Sequence, residues 1–188
     1  PWSSSGFVIK YSNPSSLPAG DGNDVRWHPS GNDLAVAHDT TPFLFCSPFT
    51  SGTGFGTPYT TSASGYNNQI ALDFDPDGDY LVVAGGGAPY WLRCYNYTEG
   101  TGRGSALTDV ATSEGNFNDI SFSHDGTHFV GCHFSSPNVT AYSFSPTSAS
   151  WYSRVSNPST LVPSHGWGAV FSPDDNAIVA GHYNTPFI

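Results

Sequence analysis

Polar and apolar residues alternate over a short stretch of this chain, break at a turn and resume as a nearly continuous apolar run, and the sequence does this four times. The copies are Val25–Ala37, Leu72–Ala84, Ile120–Cys132 and Ala169–Gly181. In each, the first stretch has the period of two expected of a strand buried on one face: Val25 and Trp27, or Ile120 and Phe122, face one way and their polar neighbours the other. The second stretch, such as Leu34-Ala35-Val36-Ala37 or Tyr80-Leu81-Val82-Val83-Ala84, predicts a strand buried on both faces. Between them stand Pro-Ser-Gly, Pro-Asp-Gly, His-Asp-Gly and Pro-Asp-Asp. These supply the fixed φ of proline and the positive φ of glycine or Asp/Asn that a tight antiparallel hairpin needs.

The spacing is as regular as the pattern. The central aromatics Trp27, Phe74, Phe122 and Phe171 lie 47, 48 and 49 residues apart, and the loop prolines Pro42, Pro89, Pro137 and Pro186 keep the same intervals. Radial repetition with this period predicts an all-β chain, a β-propeller built from four-stranded antiparallel blades in about four repeats starting near 23, 70, 118 and 167. Third strands are expected at Phe43–Cys46, Tyr90–Tyr95 and Val139–Phe144, and a more polar outer strand at Trp151–Pro158. Phe7–Pro14 matches that outer strand in register, so the sequence opens on a fourth strand and closes where a third begins, at Pro186–Ile188. These ends are complementary. Residues 1–188 therefore read as a single propeller that closes on itself, or as a propeller fragment forming one part of a larger ring.

Fifteen acidic against five basic side chains give a net charge of −10, a surface that repels nucleic acid and anionic headgroups. No apolar stretch approaches the roughly 20 residues of a membrane helix, so membrane insertion is not expected. Cys46, Cys94 and Cys132 have neither metal-ligand nor redox spacing.

Ser-Asn-Pro-Ser-(Ser/Thr)-Leu, a glycine-containing loop, a strand ending in His-Pro-Ser or Ser-Pro-Asp, Leu-Ala-Val-Ala-His and Thr-Pro-Phe together resemble the WD-like β-propeller repeats of phage tail and virion-associated proteins and of bacterial surface proteins. The likeness is best in Ser12–Phe45 and Val155–Ile188. It implies a non-catalytic structural or recognition module, extracellular or virion-associated, with a glycan or protein partner. A subunit of a larger homo-oligomeric fibre or virion assembly is the first alternative.

Three histidines, His38, His133 and His182, stand in register seven residues after Gly31, Gly126 and Asp175. They could hold a metal, an anion or a sugar at the mouth of the ring, or simply tie each blade to a preceding loop through Asp24 or Asp119. Asp73, Asp75, Asp77 and Asp79 spell D-x-D-x-D-G-D, which could gather calcium, although Asp77-Gly78 is also this repeat's hairpin turn. Trp91 and Trp167 are candidate ligand-stacking rings, with Trp2, Tyr59, Tyr66, Tyr90, Trp151, Tyr152 and Tyr183 as further rings on loops or outer strands. No nucleophile elbow, zinc helix or phosphate loop is present, and no cofactor beyond calcium is implied. A propeller enzyme of lactonase or glycan-hydrolase type collects its residues from separate blades, and remains the second alternative.

Overall fold

The structure, a computed structural model, describes all of residues 1–188 except 1, 4, 5, 8, 9, 61–66, 87–90, 110, 113, 186 and 187. Among the described residues the regular elements are all strands. A short hairpin, β1 (Trp2–Ser3) and β2 (Gly6–Phe7), precedes the first blade. That blade comprises β3 (Gly22–Trp27), β4 (Asp33–His38), β5 (Leu44–Thr50) and β6 (Gly54–Phe55). The second comprises β7 (Asn67–Phe74), β8 (Tyr80–Gly86), β9 (Leu92–Thr98) and β10 (Gly102–Ala106). The third comprises β11 (Phe117–Phe122), β12 (His128–His133), β13 (Val139–Phe144) and β14 (Tyr152–Arg154). β15 (Gly166–Phe171) and β16 (Ile178–His182) form the paired strands of a fourth.

All neighbouring strands are antiparallel and run in chain order across each sheet, as the hairpin turns require. Gly31, Gly78 and Gly126 take φ of 76°, 80° and 70°, and Asp175 takes 56° at the same place in the fourth hairpin. The first strands β3, β7, β11 and β15 lie side by side in succession, so the sheets fan out from a shared inner edge.

The core sits between blades. Ala35, Ala37 and Leu44 of the first blade pack with Leu72, Phe74 and Leu81 of the second. Val82, Ala84 and Leu92 pack with Ile120, Phe122 and Phe129 of the third, and Val130 and Cys132 with Ala169 of the fourth. This explains the two-sided burial of the second strands: each is sandwiched between two neighbouring sheets.

Several strand expectations need correction: the third strand expected at Tyr90–Tyr95 is β9, Leu92–Thr98, with position 90 outside the described residues, and of the outer strand expected at Trp151–Pro158 only Tyr152–Arg154 is strand. β5 runs on past Cys46 to Thr50 because Pro48 stands opposite Asp33 at the end of the ladder, where a missing N–H is tolerated. Of the expected outer strand Phe7–Pro14, positions 8 and 9 lie outside the described residues and Lys10–Pro14 is not a strand. Tyr11 instead packs edge-on to Phe49 at 5.1 Å, and its hydroxyl accepts from Gly52 N at 3.1 Å.

Candidate functional site

At the inner edge, polar side chains join successive first strands. Each of these strands carries a bulge against its second strand, at Asn23, at Asn118 and at Trp167 in blades one, three and four. The bulge turns Asn23 and Asn118 towards the next blade, where their amides donate to Gln69 O and Gly166 O, each at 2.7 Å. The adjoining carboxylates complete the clamp: Asp24 accepts from Leu72 N at 3.0 Å and Asp119 from Ala169 N at 3.1 Å. Blade two does the same with Asp73, which accepts from Phe122 N at 2.8 Å.

Arg26 stands among these carboxylates. Its guanidinium lies 2.6 Å from Asp24, 3.2 Å from Asp119 and 3.7 Å from Asp73, so one cation serves three blades. Burial pushes Asp73 up to about 6, against the N–H of Phe122 and the charge of Arg26, which both pull it down. Asp119 is raised by the same cause. The Asn-Asp pairs at 23–24 and 118–119 were the visible sequence signal for this cluster. They clamp the following blade, and neither carboxylate is bonded to a histidine.

The three in-register histidines are not brought together. His38 and His133 are completely buried and His182 nearly so, and His38 and His182 line separate cavities. Burial lowers the pKa of His38 and His133, which keeps both rings neutral near pH 7. His133 Nε2 meets Thr140 Oγ1 at 3.0 Å and His182 Nδ1 accepts from Asn184 N at 3.3 Å.

The acidic run also diverges. Asp73 faces the inner edge, Asp75 is buried in its own turn accepting from Tyr80 N at 2.7 Å, and Asp77 and Asp79 are exposed. Among the described residues, no three His, Cys, Asp or Glu side chains are arranged to hold a metal ion. The cysteines are free and buried, their thiols raised by burial, Cys46 and Cys132 to about 12.

Of the two tryptophans, Trp91 is half-buried against the core shared by blades two and three. Trp167 is 54% exposed and meets Phe134, itself 41% exposed, edge-on at 5.7 Å. Phe134 also packs on His165 at 5.0 Å, and Tyr183, 66% exposed, bonds through its N–H to His165 O at 3.2 Å. The Phe134 ring was not anticipated. Tyr59 donates to Asp33 at 2.7 Å, and Trp151 and Tyr152 are buried in the third blade; Tyr66, Tyr90 and the Trp2 side chain lie outside the described residues.

No protein-family model matches the chain, and no curated protein matches it in sequence. Solved structures do match. A chain of the mitotic checkpoint complex superposes with TM-score 0.65 at 14% identity over 86% of this chain and 48% of its own. A protein from Lactobacillus plantarum gives 0.67 at 17% identity over 87% and 48%. Hydrazine synthase of Kuenenia stuttgartiensis gives 0.63 at 14% identity over 93% and 45%. The chain thus spans about half the length of each of these neighbours. At such identities the likeness concerns fold alone, and the fold is a β-propeller.

Proposed function

We propose that this propeller is a non-catalytic recognition module that grips a glycan or protein through the aromatic group Phe134, Trp167 and Tyr183. One observation carries the proposal: Phe134 and Trp167 pack edge-on at 5.7 Å at the junction of blades three and four while both stay exposed, and the exposed Tyr183 is bonded through its N–H to His165, on which Phe134 packs. Exposed rings of this kind supply contact area at little entropic cost and stack readily on sugars or protein side chains. The titratable groups support a non-catalytic role, because the buried histidines are neutral and Asp24, Asp73 and Asp119 are occupied in joining blades. Such a module belongs on a virion or cell exterior, as the likeness to WD-like repeats of tail and surface proteins suggests. Glycan arrays and protein pull-downs with the intact chain test it. Capture of a ligand that weakens about tenfold or more on Trp167→Ala is the expected result, and binding indifferent to both Trp167→Ala and Phe134→Ala would overturn it.

A second role, assembly into a larger ring or fibre, is favoured by the two end faces. Val25 is 56% exposed, whereas its equivalents Leu72, Ile120 and Ala169 are buried against a preceding blade. Val179 is 52% exposed, whereas Ala35, Val82 and Val130 are buried against a following one. Both faces have the chemistry of a blade seam, and further blades would cover them.

A further inference from the structure

Among the described residues β16 closes a sheet of two strands, whereas its equivalents β4, β8 and β12 each have a third strand on their far side. Ala177 O accepts from Ser172 N at 2.8 Å, so the odd-numbered positions bond towards β15 and the N–H and C=O groups of Ile178 and Ala180 point the other way. Blade one shows how such groups are used. There Asn32 O and His38 N, on the same side of β4 as Leu34 and Val36, bond to Phe49 N and Phe43 O in and beside β5. Edges left open are ordinarily guarded by charge or proline, as Arg103 guards β10 and Arg154 guards β14, yet Ile178-Val179-Ala180-Gly181 carries neither.

Beside this edge runs a groove of about 410 Å³ whose lining contains no carboxylate, lysine or arginine. Val139 and Ala141 of β13 form one wall, Val155 and Leu161 the outer side, and Ile178 and Ala180 the other wall. The outer side is fixed in place: Val155 N donates to Ala141 O and the Asn138 amide to Val162 O, each at 2.9 Å.

The finished blades define what fits. Opposite Leu81 and Phe129, the counterparts of Ile178, stand Tyr95 and Tyr142, both buried against the preceding blade. Opposite Ala35, Val82 and Val130, the counterparts of Val179, stand only small residues, Cys46, Cys94 and Ala141. The repeat places Ile188 opposite Gly181, as Leu44 stands opposite Ala37, so the open places begin opposite Ala180.

We infer that β16 accepts an extended segment of a partner protein as an antiparallel third strand, with a small residue opposite Val179 followed by an aromatic residue whose ring enters the groove. In strand addition the main-chain bonds supply affinity and the pockets for alternate side chains supply specificity. The groove alone has the size of a small-molecule site, and the hydrogen-bonding edge along its wall is what selects a peptide. This surface is separate from Phe134, Trp167 and Tyr183 and goes beyond the role proposed for them.

The probe is a blocked synthetic copy of residues 140–145, Thr-Ala-Tyr-Ser-Phe-Ser, titrated into the intact chain by fluorescence anisotropy, with amide hydrogen exchange as the second readout. A Kd of about 1 mM or tighter is expected, with exchange slowed at Ile178 and Ala180. Ala180→Pro removes an N–H that faces away from β15, so it should weaken binding about tenfold or more with little change in melting temperature. Tyr142→Ser within the peptide should weaken binding as much, and this arm is independent of the stability of any protein variant. Trp167→Ala should leave peptide binding unchanged, and a tenfold loss there would overturn the separate site. The inference also fails if the peptide does not bind at millimolar concentration, or if it binds equally well after both Ala180→Pro and the tyrosine replacement. Uptake of an apolar dye without the peptide, or a doubling of mass that the peptide does not reverse, overturns it in favour of a small molecule or a second copy.

Discussion

Arg26 is the residue on which the inner edge turns. Replacing it by methionine keeps the stem but leaves Asp24, Asp73 and Asp119 without their shared cation. The guanidinium is about one-third exposed, so solvent screens part of the effect, and a loss of about 1 to 2 kcal/mol in urea unfolding is expected. Asp73 gives a pH signature. Its carboxyl is raised to about 6 in the folded protein, so the native state holds a proton that the unfolded state releases near pH 4. Stability from this group is full below about pH 4 and is lost as pH rises through 6, by about 2 to 3 kcal/mol. Carbon NMR titration should place the Asp73 midpoint near 6, and a midpoint near 4 would show that the clamp outweighs burial. Little of this residue-level cluster was legible beforehand. Its members sit in three repeats, and the position held by Arg26 in the first repeat is held by Asp73 in the second and Ser121 in the third.

At the scale of the element, the hairpins were read almost completely from sequence, because alternation, turn residues and period all demand the same local structure. Gly78 shows how the turns also serve the assembly. Its φ is positive, its carbonyl accepts from His28 Nε2 of the preceding blade at 3.1 Å, and a Cβ there would overlap the His28 ring. Gly78→Ala is therefore expected to cost about 1 to 3 kcal/mol and to speed hydrogen exchange in β3 and β7 together, whereas Gly31→Ala, with open space around it, should cost about 1 kcal/mol and act on its own hairpin. The outer strands were less legible. They carry few buried positions, and their pairing depends on whether a third strand offers a free edge, which no local pattern records. The histidine register was visible but misleading, since a residue placed identically in each repeat is placed identically in each blade and so kept apart from its copies.

For the whole molecule, stability resides in the seams. Each seam combines an apolar layer with a clamp from one first strand to the next, so the blades are expected to unfold as neighbours and not one at a time. The end faces should behave as unfinished seams. Val25→Asp and Val179→Asp, both at exposed positions, are predicted to leave the melting temperature nearly unchanged and to reduce any concentration-dependent increase in mass seen by light scattering. A large drop in melting temperature would mean that these faces are covered within one chain.

The central claim is that blades one, two and three meet at one inner edge, and the most direct measurement is a double-mutant cycle on Arg26 and Asp119, which lie 93 residues apart in sequence and 3.2 Å apart in space. Unfolding free energies of Arg26→Met, Asp119→Asn and the double variant should show a coupling of about 0.5 to 1 kcal/mol. Strict additivity of the two substitutions would contradict the shared edge and the arrangement built upon it.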